Sequence, residues 1–255
     1  MPNDLSYANN FPYITWGSTF AEVVNITALD KVFICHAQIG DLTKVASELA
    51  NDVFEQNWIL GLDTTARRAY EATATRTAKE LVEIFNKTIS NNSVTSEFGE
   101  LMVSMGASKA LEIVFKHRCI PLAELWKPKL SQNEGFDFHT VCPNSLINFG
   151  EAKFSSNASP YGGTSGESSG AGGQADGFIA ASKHLMDGIH LQHLAAEGMS
   201  YLNTDQFGVV LAFSINAANP LLILKNALEQ SETYDNLKAA KNIYIVGVSH
   251  ESQGY

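Results

Sequence analysis

The chain has 255 residues, 45% of them hydrophobic and 17% charged, which supplies one substantial core, or a core with a smaller subdomain, in a globular protein. A net charge of −10 excludes a protein that coats nucleic acid by its own charge, though not one that contacts it through a single face or a partner. No apolar stretch reaches bilayer-spanning length, and Met1-Pro2-Asn3-Asp4-Leu5-Ser6 lacks the basic start and apolar core of a signal peptide; the expectation is a cytoplasmic protein with no membrane partner. Cys35, Cys119 and Cys142 are odd in number, scattered and without Cys-x-x-Cys spacing, which fits a reducing compartment without disulfides. In that setting the glycosylation sequons at Asn25, Asn86 and Asn91 are chance matches.

In chain order, residues 1–40 are mixed, with strand-like pieces such as Val32-Phe33-Ile34-Cys35. Asp41 is an N-cap candidate for a helix reaching about Leu60, and Thr64 or Thr65 opens another that reaches about Lys87. Asn86 to Thr95 is polar and aperiodic and reads as a boundary loop, dividing a largely helical segment, 1–92, from a second domain, 93–255. A helix over Ser96–His117 buries Leu101, Met105, Ala107, Leu111 and Phe115. Strands are expected near 124–130, 135–142 and 146–155, the first at an edge because of Pro128. Asn157 to Gly177 is a Gly/Ser-rich loop, followed by one or two helices from Ala175 to about Leu202. A strand over Phe207–Ser214, a helix over Pro220–Gln230 and a strand over Ile243–Val248 complete an α/β order.

The run Ile147-Asn148-Phe149-Gly150-Glu151-Ala152-Lys153-Phe154 is a short apolar strand with Glu151 and Lys153 on one side of it. Upstream, Gly135-Phe136-Asp137-Phe138-His139 offers a second strand whose lone carboxylate can reach the same spot. Two carboxylates beside a lysine suit a hard divalent cation and a phosphodiester: the acids hold the ion through oxygen, and the lysine steadies the attacking water or the phosphate. A surface strand with an ordinary ion pair is the plain alternative. Phe149 and Phe154 argue instead for a strand inside a sheet, where two acids and a lysine without a ligand would be costly.

A helix with an early Glu100, then Asp137, then Glu151-Ala152-Lys153 on successive strands resembles the PD-(D/E)XK nuclease superfamily, although Phe136 stands where a proline often precedes the Asp. Gly150-Glu151-Ala152-Lys153-Phe154 and Phe98-Gly99-Glu100-Leu101 resemble more specifically the HamA family, nuclease effectors of the Hachiman anti-phage system, over about residues 95–250. The resemblance implies a restriction-endonuclease-like mixed sheet flanked by helices. It makes Asp137 and Glu151 ligands of Mg²⁺ or Mn²⁺, the Ala152 carbonyl a third oxygen, and Glu100 an outer ligand. Lys153 orients the water or neutralises charge on the phosphate. It further implies DNA cleavage with little sequence preference, under the control of a helicase-like, HamB-type partner subunit.

Other readings compete. A catalytically silent nucleic-acid- or partner-binding module could occupy the same fold. Gly166-Glu167-Ser168-Ser169-Gly170 formally matches a Gly-x-Ser-x-Gly elbow, with Asp205 and His250 following in hydrolase order, but the flanking glycines replace the strand and helix such an elbow needs. The same loop also reads as mobile, or as one that orders over the active site when DNA or a partner binds. His139 reads as a packed histidine before an assisting one, and His184, His190 and His193 as surface residues before a zinc site. Lys109, Lys116, Arg118, Lys127 and Lys129 form a locally basic stretch, read as a solvated helix face or a nucleic-acid contact. Trp16, Trp58 and Trp126 read as core or interface residues, not a stacking platform.

Overall fold

The computed structural model describes residues 5–25, 31–55, 57–91, 94–127, 135–162 and 170–250. Among the described residues, eight strands form one mixed sheet: β1 (Leu5–Tyr13), β2 (Ser18–Asn25), β3 (Val32–Ile39), β4 (Arg118–Cys119), β5 (Phe138–Val141), β6 (Ile147–Lys153), β7 (Gly208–Ser214) and β8 (Asn242–His250). Their order across the sheet is β1-β2-β3-β8-β7-β6-β5-β4. The middle strands β3, β8, β7 and β6 run parallel, and antiparallel hairpins extend the sheet at both ends. β7, Gly-Val-Val-Leu-Ala-Phe-Ser, is buried along its whole length. Such continuous apolar runs are what a parallel strand covered on both faces requires.

The helices are α1 (Leu42–Glu55), α2 (Thr64–Asn91), α3 (Ser96–Phe115), α4 (Ala123–Trp126), α5 (Gly170–Ala180), α6 (Lys183–Leu191), α7 (Met199–Leu202) and α8 (Pro220–Ser231). α3 starts where the Thr95 hydroxyl accepts the Phe98 N–H and ends where Lys116 turns left-handed at φ 61°. It crosses one face of the sheet from β2 to β5, buried on nearly every side. α5 and α6 cover β6 and β7 on the opposite face, with His184 against Phe149 and Phe207. α8 packs on β8 over that same face, where Leu224 and Ile215 fill the space above Gly247.

Several expectations change. The strand near 124–130 is instead the single turn α4, with β4 earlier at Arg118–Cys119; a short apolar run does not distinguish strand from helix, and residues 128–130 lie outside the described residues. The Gly/Ser loop shortens, because Gly170 already opens α5. The boundary loop shrinks as well, since α2 runs on to Asn91. β1, β2 and β3 fill the mixed stretch of residues 1–40 ahead of the helices α1 and α2, and β3 pairs in parallel with β8, so the sheet crosses the division at residue 92. Trp16 and Trp126 are buried and Trp58 is half-buried against the core. Among the described residues, no helix is long and apolar enough to cross a membrane.

Candidate active site

The site forms where β5 enters its pairing with β6. Phe138 lies opposite Gly150, and just ahead of it the Asp137 N–H donates to the Gly150 carbonyl at 2.8 Å, holding Asp137 against β6. There its charge bears on Glu151, so the two carboxylates are neighbours. The Ala152 N–H donates to Asp137 Oδ2 at 2.7 Å. In a strand the N–H and C=O of one residue leave by the same edge, so the Ala152 carbonyl also lies on the Asp137 side. The close pairing depends on Gly150, since a Cβ there would collide with the Phe138 ring.

Glu151 is 0% exposed, and no donor is aligned for a hydrogen bond to either of its oxygens. It is paired with Lys153, whose Nζ lies 2.8 Å from Oε1. Burial, and then the charge of Asp137, pushes the Glu151 carboxyl well above the ordinary value. Burial likewise lifts Asp137 to about 6, against the pull of the Ala152 N–H and the Lys153 and Lys127 charges. Burial works against the Lys153 ammonium, but the neighbouring Glu151, Asp137 and Glu100 carboxylates outweigh it and raise its pKa.

Glu100 stands exposed near the start of α3 and acts on Asp137, Glu151 and Lys153 only through its charge. Gly99 brings it there: a Cβ at that position would collide with the ring of Phe154, which immediately follows β6. Among the described residues, no three His, Cys, Asp or Glu side chains converge closely enough to ligate one ion by themselves. A cation here would draw on two carboxylates and backbone oxygen.

A second polar cluster braces the entrance to β5. Asp187 of α6 accepts from the Phe136 N–H at 3.0 Å, lies 3.2 Å from His139 Nε2, and pairs with Lys127 Nζ at 2.7 Å. Lys127 Nζ also donates to the Phe136 carbonyl at 3.3 Å. Burial alone would raise Asp187, but His139 and Lys127 outweigh it and hold the carboxyl below its usual value. His139 is therefore a packed histidine. Sequence reading missed Asp187 and placed Lys127 only in a basic stretch, because their partners are distant in the chain.

The remaining candidates do not assemble. Ser168 lies outside the described residues, and Asp205 ends a helical turn at φ 55°. His184 is buried against Phe207, and His193 faces Asp63 at 3.4 Å. The basic stretch is largely paired: Lys109 with Glu112, Arg118 with Glu197, Lys127 with Asp187. Lys129 lies outside the described residues. No known family, curated protein or solved structure matches the chain.

Proposed function

We propose that this chain is a metal-dependent nuclease that cleaves DNA phosphodiester bonds with little sequence preference through Asp137, Glu151 and Lys153. The observation that carries the reading is Glu151, a carboxylate sealed from solvent, beside the charge of Asp137 and joined by a single ammonium, that of Lys153. Two acids against one lysine leave negative charge uncompensated in a desolvated place, and either protons or a cation must relieve it. The order of elements agrees with the PD-(D/E)XK resemblance: α3, the antiparallel β4, β5 and β6, then α5 and α6, then β7 parallel to β6.

These residues fit a hard divalent ion. Asp137, Glu151 and the Ala152 carbonyl would hold Mg²⁺ or Mn²⁺, and Glu100 would hold water at an outer position. When bound, the ion supplies Lewis acidity toward a phosphate oxygen and a more acidic water. The Ala152 N–H fixes one Asp137 oxygen and so sets the direction of the other. Lys153 offers its ammonium to the attacking water or to charge developing on the phosphate. A role as the effector of an anti-phage complex, checked by a helicase-like partner, rests on the HamA resemblance. A chain of net charge −10 would draw its DNA affinity from such a partner.

One observation favours a second reading, a silent binding module: no third ligating side chain joins the two acids among the described residues. Incubating linear DNA and Mg²⁺ or Mn²⁺ with the chain and its partner decides between them. A nuclease degrades the DNA, EDTA stops it, and Glu151→Gln or Lys153→Ala lowers the rate at least about a hundredfold. Undiminished cleavage by the double variant would show the site assignment to be wrong, whereas DNA left intact by the unaltered complex supports the silent module.

A further inference from the structure

We propose that Lys127 and Asp187 are positioning residues for the metal site: as an ion pair they clamp the backbone just ahead of Asp137 and so fix the carboxylate that binds the cation. The inference rests on the nuclease reading above and adds to it two residues that act through the backbone, without touching metal or substrate.

Asp137 lies one residue ahead of β5, whose ladder with β6 opens at the Phe138–Gly150 pair. On the other side of β5, β4 pairs only with Thr140 and Val141. The segment carrying the carboxylate therefore precedes the regular ladder on both sides, while a metal site needs its ligands held to within about 0.5 Å. Two side chains supply the anchorage. The Phe136 N–H donates to Asp187 Oδ2 at 3.0 Å, and Lys127 Nζ donates to the Phe136 carbonyl at 3.3 Å. That carbonyl and the Asp137 N–H belong to one planar peptide unit. Lys127 holds its oxygen, and the Gly150 carbonyl accepts its N–H at 2.8 Å. The plane leading into Asp137 is thus fixed at both ends.

The clamp is itself held in place. Lys127 Nζ lies 2.7 Å from Asp187 Oδ1, with the two side chains only 12% and 3% exposed. His139 Nε2, 3.2 Å from Asp187 Oδ2, steadies the acid from β5. A buried ion pair is weak evidence for stability, since desolvation offsets its attraction. Its hydrogen bonds to backbone groups are nonetheless about twice as strong as neutral ones, which suits a device for placement. Gly135 makes the approach feasible: a Cβ there would collide with both the Lys127 ammonium and the Asp187 carboxylate.

The test is a calorimetric titration of Mn²⁺ into the full chain and three variants, well below their melting temperatures, with DNA cleavage in the presence of the partner followed as Mn²⁺ is raised. Lys127→Met/Asp187→Asn removes both charges together. Gly135→Ala keeps both charges but drives them off the backbone. Leu224→Ala, a cavity in the buried face of α8, controls for lost stability alone. The expected result is Mn²⁺ binding about tenfold weaker in the first two variants and unchanged in the third. Cleavage by the first two recovers at higher Mn²⁺, with KM for DNA unaltered. Circular dichroism establishes that each variant folds, and should one of the first two fail to fold, the other decides. Unchanged Mn²⁺ affinity in either folded variant, or an equal loss in Leu224→Ala, overturns the positioning role while the nuclease reading stands. An unaltered chain that neither binds Mn²⁺ nor cleaves DNA with its partner overturns both.

Discussion

Glu151 occupies a strand position where an uncharged side chain of the same shape would suit the metal-free fold better. In EDTA at neutral pH, Glu151→Gln is expected to stabilise the protein by about 1–2 kcal/mol, or roughly 2–6 °C in thermal melting, while abolishing a calorimetric Mn²⁺ signal. Unaltered melting with Mn²⁺ binding retained would exclude Glu151 as a ligand. Asp137 makes a separate prediction. Its pKa rises from 3.8 to about 6, so the metal-free folded state holds the proton more tightly than the unfolded chain does. That contribution to stability is fully present below pH 3.8 and is lost as pH rises through 6. His36 and His117 act oppositely, because burial lowers both from 6.5 to about 4. Their stability is present above pH 6.5 and lost on acidification toward 4, by up to about 3 kcal/mol for a buried group such as His117. Melting between pH 4 and 7 in EDTA should therefore fall off more steeply on acidification in Asp137→Asn and less steeply in His117→Gln. Alternation along one strand was enough to bring Glu151 and Lys153 together from sequence. The brace of Asp187, Lys127 and His139 was not legible, since its members come from three distant segments.

The elements that position the site were mostly readable. α3, β6, β7, α8 and β8 carry either long apolar runs or helix caps; the Asn219 side chain, for instance, accepts from Leu222 N at the start of α8. The start of α5, ahead of Ala175, escaped because Gly170-Ala171-Gly172-Gly173 has poor helix propensity, yet its small residues permit contact: a Cβ on Gly172 would press on Tyr234 and the Tyr161 carbonyl. β1 escaped because it lies at the sheet edge, largely exposed, and shows little of the apolar alternation that marks a half-buried strand. The junction of α3 with β6 gives the prediction at this scale. Gly99→Val pushes the first turn of α3 away from Phe154, so chemical denaturation should show a loss of about 1–3 kcal/mol. Nuclease activity should fall with it, because Glu100 moves along with the turn. A variant of unchanged stability would mean that the approach at Gly99 is not tight.

Across the whole molecule, a single sheet joins residues that the sequence pattern assigns to separate segments. No local signal announces the pairing of β3 with β8, because both are apolar runs that would sit equally well beside several other strands. This register also constrains how the protein is made. The hairpin of β1 and β2 and its neighbour β3 are synthesised first, but their permanent neighbour is Asn242–His250, some two hundred residues later. Until that segment leaves the ribosome, β3 presents an open apolar edge that any other extended chain could capture. Assembly must therefore be slow and dominated by distant pairings, and nascent chains halted before residue 242 should be insoluble or bound to chaperones.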